Sequence, residues 1–439
     1  MPTENLERCG DDRRRHVVAT LKASRCRQGR SHRGMGSMRK DRQMEAVAQI
    51  QDEYLPWADE NYRQNPYPWY ERVRQERPVY KMADGTYVVS RYDDITKYGK
   101  LPIMTIVDPE WVPKGPWAAL SKTVLGVDPP VHTTLRRRTN KWFTPKLVQT
   151  WVEAAEKAAN DALDRMSPGE TIEANLDLGV FPTHAAMCRA LQLPTDDVAP
   201  VHDSMLKAMA ALSSVASKED DDRAAVAFAY LRGRSIALVA YKRANPGDGL
   251  ADALIEAEKA GEMTEDEVIQ TISLFWGSGG HNPSFFVSAG IEYFARNPEI
   301  YRLYRERPDL RVGIQNEFLR LNPPELSFVR YPTEDVEIRG VQIKAGERVR
   351  FLLDAANRDP EVFPDPDKLD PHRPLDAAQN LSFGIGPHAC AGQVISRAEA
   401  DTIFRVIADR IERIEMAGTA EYDITDRSRA YVKLPVRLF

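Results

Sequence analysis

The 439-residue chain is poor in cysteine, with four residues at positions 9, 26, 188 and 390 and no regular spacing between them. Such a set forms neither a disulfide framework nor a zinc signature, so each cysteine is considered singly. No apolar run approaches the roughly 20 residues that span a bilayer, and the N-terminus lacks the apolar core of a secretory signal. These absences predict a soluble cytoplasmic protein with no membrane partner.

Charge is distributed unevenly along the chain. Residues 1–42 carry 12 Lys/Arg against 5 Asp/Glu, which leaves 48 against 60 in the remainder of the chain. Arginine clusters neutralise phosphates, so one alternative for this segment is a nucleic-acid-binding arm. The segment has no apolar periodicity, and Met35 and Met38 offer later starts. We therefore interpret residues 1–42 as a basic leader that is disordered or wrongly assigned, and expect no nucleic-acid partner.

Residues 43–439 contain neither an internal repeat nor a low-complexity linker, which favours a single domain. An Asp-Gly turn between two alternating runs predicts a hairpin over residues 78–91, and Val/Ile-rich runs predict a second β region over 328–353. The remainder is predicted to be mainly helical. Apolar residues recur at helical spacing over 146–166, 199–214, 222–243, 264–296, 309–321 and 391–415.

The sequence FGIGPHACAG at residues 383–392 encloses Cys390 with three glycines. A helix is predicted to begin just after the cysteine, and a helix N-terminus lowers the pKa of a thiol, so we expect Cys390 to be a thiolate. Gly384, Gly386 and Gly392 allow backbone conformations, and the close approach of a flat partner, that a Cβ would block. The alternative is a buried structural cysteine in a glycine-bearing turn.

Two further groups of charged residues accompany this loop. In QNEFLR, Glu317 and Arg320 share one helix face, and Arg373 in FPDPDKLDPHR is a candidate third member of the group. In HTTLRRR, His132 and Arg136 stand four residues apart, and two donors on one face suit carboxylates. Taken alone, each group is also typical of ordinary ion pairs or solvated surface.

These four motifs, in this order, resemble those of the haem-thiolate cytochromes P-450, specifically the soluble bacterial type. The resemblance covers about residues 45–439. It implies a mainly α, triangular single domain with a small β portion, acting as a monomer.

The resemblance also implies a cofactor and the residues that bind it. The cofactor is haem b, with Cys390 as the axial thiolate ligand that favours O–O cleavage. The residues expected to bind the haem and its propionates are His132, Arg136, Arg330, His388, Phe383 and Gly384. Glu317, Arg320 and Arg373 are expected to form a buried structural triad behind the haem.

In this family, a long central helix carries the pattern Ala/Gly-Gly-x-Asp/Glu-Thr, whose acid and alcohol relay protons to dioxygen. In WGSGGHNPSFF at residues 276–286, Gly279 and Gly280 match this pattern. Asn282 takes the place of the acid and Pro283 that of the alcohol, so the usual relay is absent. Proline also removes a backbone hydrogen bond, and a kink is expected at this position.

Four interpretations of this departure stay open. In the first, waters and Ser284 replace the relay, and the protein is an ordinary monooxygenase. In the second, a bulky aromatic natural product of bacterial secondary metabolism undergoes oxidative coupling or dehydrogenation, with no oxygen inserted. The third is a peroxide-using hydroxylase, which is disfavoured because Asn282 rather than arginine precedes Pro283. The fourth is a catalytically silent haem protein that senses a ligand.

Several residues occupy segments that line the pockets of family members. The predicted substrate pocket comprises Trp276, Gly280, Asn282, Pro283, Ser284, Phe328 and Tyr431, with Trp111 and Trp117 in a lid loop over 101–127. We expect Ser284 to act in catalysis alongside Cys390. Because the sequence has no flavin or iron–sulfur motif, electrons are expected from a separate ferredoxin and ferredoxin reductase. Arg397 or Arg405 would steer that acidic partner.

Overall fold

The computed structural model describes residues 52–57, 59–109, 115–193, 198–211, 213, 216–376 and 378–439, without the side chains of 115–117. The predicted leader over residues 1–42 lies outside this part of the chain. The helices are α1 (Glu60–Gln64), α2 (Tyr67–Glu76), α3 (Tyr92–Tyr98), α4 (Val131–Asn140), α5 (Pro145–Leu163), α6 (Phe181–Leu191), α7 (Val198–Ala210), α8 (Lys218–Ala244), α9 (Leu250–Lys259), α10 (Glu265–Arg296), α11 (Pro298–Glu306), α12 (Arg311–Leu321), α13 (Leu353–Ala356) and α14 (Gln393–Arg410). The strands are β1 (Val79–Lys81), β2 (Tyr87–Val89), β3 (Met104–Thr105), β4 (Thr171–Glu173), β5 (Ser327–Pro332), β6 (Val336–Ile338), β7 (Val341–Ile343), β8 (Val349–Leu352), β9 (Ile414–Met416), β10 (Glu421–Ile424), β11 (Arg429–Lys433) and β12 (Pro435–Leu438).

Both predicted β regions are confirmed. β1 and β2 form an antiparallel hairpin in which Val79 pairs with Val89. β8 joins this hairpin to β5, and the resulting five-stranded sheet has the order β1-β2-β8-β5-β3. The buried faces of these strands pack as one apolar cluster with α3, which positions the segment after α12 beside the main helical body.

The predicted helices are confirmed in type, but several of their predicted ends are wrong by three to five residues, most of all at α14. α14 ends at Arg410, whereas its periodicity predicted helix to residue 415. Ile411 is already extended, and Ile414 and Met416 belong to β9, which pairs with β12 near the C-terminus. Pairing with a distant strand therefore overrides the local helical pattern of these apolar residues.

The long helix α10 runs through the centre of the fold. Its first turn is closed by a capping box, in which the Thr264 hydroxyl accepts from the Glu267 backbone N–H and the Glu267 carboxylate accepts from that of Thr264. Its second half packs on α12 and α14 through aromatic rings. A Cβ on Gly290 would lie 2.2 Å from the Phe404 ring, so glycine permits this close helix contact. The helix continues through Pro283.

Within the described residues, no helix combines the length and the apolar character needed to cross a membrane.

Candidate functional site

A cavity of about 690 Å³ lies between α10 and the loop that precedes α14. Cys390 lines it from the loop, and Asn282 and Pro283 line it from α10. A third part of the wall is the segment from Pro324 to Tyr331, which leads from α12 into β5. The cavity therefore collects residues from the cysteine loop, from HTTLRRR and from the central helix, whereas Glu317, Arg320 and Arg373 do not line it.

The shape of the cysteine loop depends on two of its glycines. Gly384 and Gly386 have φ angles of +66° and +72°, a region that residues with a Cβ rarely adopt. A Cβ on Gly386 would also lie 2.8 Å from Cβ of Lys100. The loop is closed by a hydrogen bond of 2.8 Å from the Cys390 backbone N–H to the Phe383 carbonyl. Gly392 has an ordinary φ of −81° and therefore does not need glycine for its backbone.

The Cys390 side chain opens into the cavity, two residues before the N-cap of α14 at Gly392. Burial raises the pKa of this thiol, while the Gly392 backbone N–H and the Arg136 guanidinium act in the opposite direction. The predicted thiolate state of Cys390 therefore does not depend on the helix N-terminus alone. Desolvation of the thiol outweighs the helix terminus, so a further positive charge at the sulfur is needed.

Four of the predicted propionate-binding residues line one region of the cavity. The rings of His132 and His388 lie 4.0 Å apart, and His388 Nε2 lies 2.9 Å from Oδ1 of Asp128. Both ring nitrogens of His132 are buried, with no hydrogen-bond partner among the described residues. Burial, with the nearby charges of His388 and Arg136, lowers the pKa of His132 to about 4.

Two guanidinium groups complete this region. Arg136 donates to the Ala389 carbonyl at 2.6 Å, and burial lowers its pKa. Arg330 is buried over the Phe328 ring, and burial lowers its pKa to about 10. Desolvated cations beside a histidine with two unpartnered nitrogens call for anionic oxygen atoms. The residues present therefore fit a planar cofactor with carboxylate groups placed against this wall, where Phe383 and Gly384 also line the cavity.

The structure brings the three predicted triad residues together. Arg320 donates to both carboxylate oxygens of Glu317, at 2.7 and 2.8 Å, and both side chains are buried. Nε of Arg373 lies 3.3 Å from the same carboxylate. Arg320 also donates to the carbonyls of Asn357 and Pro366. The triad thus fastens the segment upstream of the cysteine loop to α12.

The residues of the predicted substrate pocket fall into two groups in the structure. Asn282, Pro283 and Phe328 line the cavity, whereas Trp276, Gly280, Ser284 and Tyr431 are not among its described lining residues. The Ser284 hydroxyl is buried and donates to the His281 carbonyl on its own helix at 2.7 Å. Because this short side chain bonds locally to its own helix in this structure, the expected role of Ser284 in ligand contact and catalysis stays a prediction.

The two aromatic residues that do not line the cavity have partners in the core. Nε1 of Trp276 lies 3.3 Å from Nε2 of His184, inside the cluster that joins α6 and α10. Tyr431 donates to the Glu292 carboxylate at 2.7 Å. A Cβ added at Gly280 would lie 3.4 Å from Nδ1 of His184, so this residue packs against α6. The side chains of Trp111 and Trp117 fall outside the described residues.

The two arginines expected to steer a redox partner differ in their surroundings. Arg397 is half-buried, lies over the Phe383 ring and donates to Asn316, so it supports the cysteine loop. Arg405 is paired with Asp401 at the surface.

Among the polar lining residues that sequence reasoning missed, two lie on or beside the central part of α10. His281 is buried in the cavity wall, and Nδ1 has no partner among the described residues. Burial, with the nearby His202, lowers the pKa of His281 to about 3. Glu325 lines the cavity, and its Oε1 lies 3.4 Å from Nδ2 of Asn282. The only signals in the sequence were a histidine between glycine and asparagine in an apolar helix, and an acid in NPPELSF.

Residues 313–434 match the family model described as Cytochrome P450. Cytochrome P450 105A3 of Streptomyces carbophilus is 32% identical over 69% of this chain and 72% of its own length. The chain belongs to the cytochrome P450 family. Similar proteins include the vitamin D3 dihydroxylase of Streptomyces griseolus, 31% identical over 68% of this chain and 72% of that protein. The mycinamicin IV hydroxylase/epoxidase of Micromonospora griseorubida is 28% identical over 79% and 86%.

Solved structures agree on the cytochrome P450 fold. P450BioI, in complex with an acyl carrier protein ligated to hexadec-9Z-enoic acid, superposes with a TM-score of 0.81 at 24% identity, covering 86% of this chain and all of that one. Epothilone D-bound P450epoK gives 0.80 at 22% identity, covering 89% and 99%. The fold class predicted from the sequence is confirmed. Haem held by a cysteine thiolate is the cofactor of this family, and the predicted cofactor and oxidoreductase class are likewise confirmed.

Proposed function

We propose that this cytochrome P450 oxidises a bulky, aromatic natural product, using dioxygen and electrons from a ferredoxin and its reductase. The observation that carries the proposal is the single cavity that Cys390 shares with α10 and with a wall of desolvated cations. When bound there, haem activates dioxygen, and the thiolate donates electron density to the iron. We take residues 43–439 as the haem-binding domain, with residues 1–42 as a leader.

We assign the residue roles from the geometry of the cavity. Cys390 is the thiolate ligand, and the positive charge of the iron offsets the burial that raises the pKa of its thiol. His132, Arg136, Arg330 and His388 would hold the propionates as charge-assisted donors. Phe383 and Gly384 form part of the wall on the cysteine side. Glu317, Arg320 and Arg373 support the loop from behind.

The lining of the cavity supports a bulky substrate with aromatic character. Phe143, Phe275, Phe286 and Phe328 line it together with aliphatic side chains. Aromatic rings offer stacked and edge-to-face contacts to a ring-bearing ligand. The names of two relatives, a vitamin D3 dihydroxylase and a mycinamicin IV hydroxylase/epoxidase, support a small-molecule substrate for this chain too.

A second reaction, oxidative coupling of the substrate, is favoured by one observation. Asn282 and Pro283 stand where the family pattern has its acid and alcohol, and the Ser284 hydroxyl is bonded to its own helix. A reaction in which hydrogen atoms leave the substrate and no oxygen enters it places fewer demands on such a relay.

The experiment combines the holoprotein, a surrogate ferredoxin and reductase, NADPH, labelled dioxygen and a library of aromatic natural products. A product that carries one labelled oxygen atom supports hydroxylation, and an unlabelled dimer or dehydrogenated product supports coupling. A ligand that shifts the haem spin state but is never consumed, while electron transfer is shown to occur, would indicate a sensor and overturn the proposal.

A further inference from the structure

The cavity has a carboxyl group beside the position from which the family acid is missing. Among the described lining residues the acids are Asp108 and Glu325. Glu325 lies between α12 and β5, and Nδ2 of Asn282 on α10 lies 3.4 Å from its Oε1. Nε of Arg427, in the turn between β10 and β11, lies 3.7 Å from its Oε2. Three separate segments of the chain thus meet at this carboxyl group.

We propose that Glu325 is the proton donor of this cavity, that Asn282 orients it, and that Arg427 balances its charge after the proton has left. The inference deepens the proposed function and rests on it. Asn282 stands at the position of the family acid, so the carboxyl group comes to that place from another segment of the chain. The neighbouring helix groups do not serve as donors, because Pro283 has no N–H and the Ser284 hydroxyl is already bonded to a carbonyl.

The surroundings of Glu325 suit both of its protonation states. Burial raises the pKa of its carboxyl group, which favours the protonated form, while Arg427 and Asn282 favour the carboxylate. The carboxyl group thus has an environment that favours holding the proton and two neighbours that stabilise the carboxylate once the proton has left. In the step, the O–H bond of Glu325 breaks and an O–H bond forms on an oxygen atom of dioxygen, which the ferredoxin reduces. A proton from bulk solvent, relayed by water that enters the cavity, then converts the Glu325 carboxylate back to the carboxylic acid.

Few other titratable groups of the described chain act on this carboxyl group. Arg427 faces it as a cation, and Asn282 contributes a neutral hydrogen bond. The charge of Glu325 raises the pKa of Cys390, so the two residues interact across the cavity. His281, next to Asn282, is neutral near pH 7, because burial lowers its pKa to about 3. A titration seen in this part of the cavity above the usual range of a carboxyl group is therefore assigned to Glu325.

The test uses carbon monoxide bound to the reduced holoprotein, because its stretching frequency responds to a proton donor beside it. Wild type is compared with E325Q and E325D. The matched control is D108N, which changes the other acid of the cavity lining, a neighbour of Tyr331 in β5. We expect the infrared band of wild type, E325D and D108N to change with pH through one midpoint, and that of E325Q to stay constant. A band in E325Q that titrates as in wild type would overturn the proposal.

Two further measurements separate proton donation from a structural role. N282A should move the midpoint of the infrared titration to higher pH, because the Asn282 side chain of wild type stabilises the Glu325 carboxylate. An unchanged midpoint counts against orientation by Asn282. With surrogate redox partners and no substrate, E325Q should consume dioxygen about 100-fold more slowly, the lower end for a positioned acid. An unchanged rate overturns the inference.

The outcomes for the inference and for the proposed function are distinguishable. If the reduced wild-type protein forms no thiolate-type carbon monoxide spectrum, the proposed function fails and the inference fails with it. If that spectrum forms but its infrared band does not change with pH, the inference alone is overturned.

Discussion

The buried carboxylate of Glu317 gives the sharpest stability prediction. It is 1% exposed and bonded to Arg320, which is fully buried. It also accepts the backbone N–H of Asp370 at 3.1 Å and faces Arg373. Replacement by glutamine keeps the shape but leaves two guanidinium groups without a countercharge. Removing one partner of a buried pair costs about 3–5 kcal/mol, a large fraction of a typical total of about 5–15 kcal/mol.

The assay is denaturant unfolding of the holoprotein, followed by the Soret band and by circular dichroism. E317Q should lose about 3–5 kcal/mol, whereas D222N, which breaks the exposed pair with Lys218 on α8, should lose less than about 0.5 kcal/mol. A loss in E317Q no greater than in D222N would refute the view that this triad holds the segment upstream of the cysteine loop.

Three further predictions concern buried groups and backbone. Glu399 is fully buried with no partner among the described residues, and burial raises the pKa of its carboxyl group. In denaturant unfolding, E399Q should therefore be more stable than wild type by about 1 kcal/mol at pH 7. This difference should vanish below pH 4, where the carboxyl group is protonated in both the folded and the unfolded state. Burial lowers the pKa of His281 to about 3, so below about pH 6.5 the unfolded chain binds a proton there that the folded chain does not. The free energy of unfolding of wild type should therefore fall below that pH. H281Q should avoid about 2 kcal/mol of this loss at pH 5. G386A should cost about 1–2 kcal/mol and lower the haem content, because its φ is +72° and its Cβ would meet Lys100; a full haem complement would contradict this.

The sequence predicted well those features that depend on short-range patterns. The hairpin followed from an Asp-Gly turn, and α10 followed from its apolar spacing. The loop around Cys390 was recognisable because glycine is needed at φ angles that other residues rarely adopt. Such signals lie within a few residues of the element they specify.

Features that depend on long-range contacts escaped prediction. Ser284 was expected in the cavity, but helix position alone does not show that its hydroxyl bonds to the His281 carbonyl. Trp276 was expected there too, although its partner on α6 is 92 residues away in sequence. Glu325 meets Asn282 only because the segment after α12 folds back onto α10. No spacing rule links positions that are brought together by tertiary packing.

The most direct test of the central claim is the absorption spectrum of the reduced carbon monoxide complex of wild type and of C390S. If Cys390 is the thiolate ligand, wild type shows the red-displaced Soret band of thiolate ligation, and C390S, if it retains haem, loses it. A wild-type band at the position of histidine-ligated haem, or the same displaced band in C390S, would contradict the assignment.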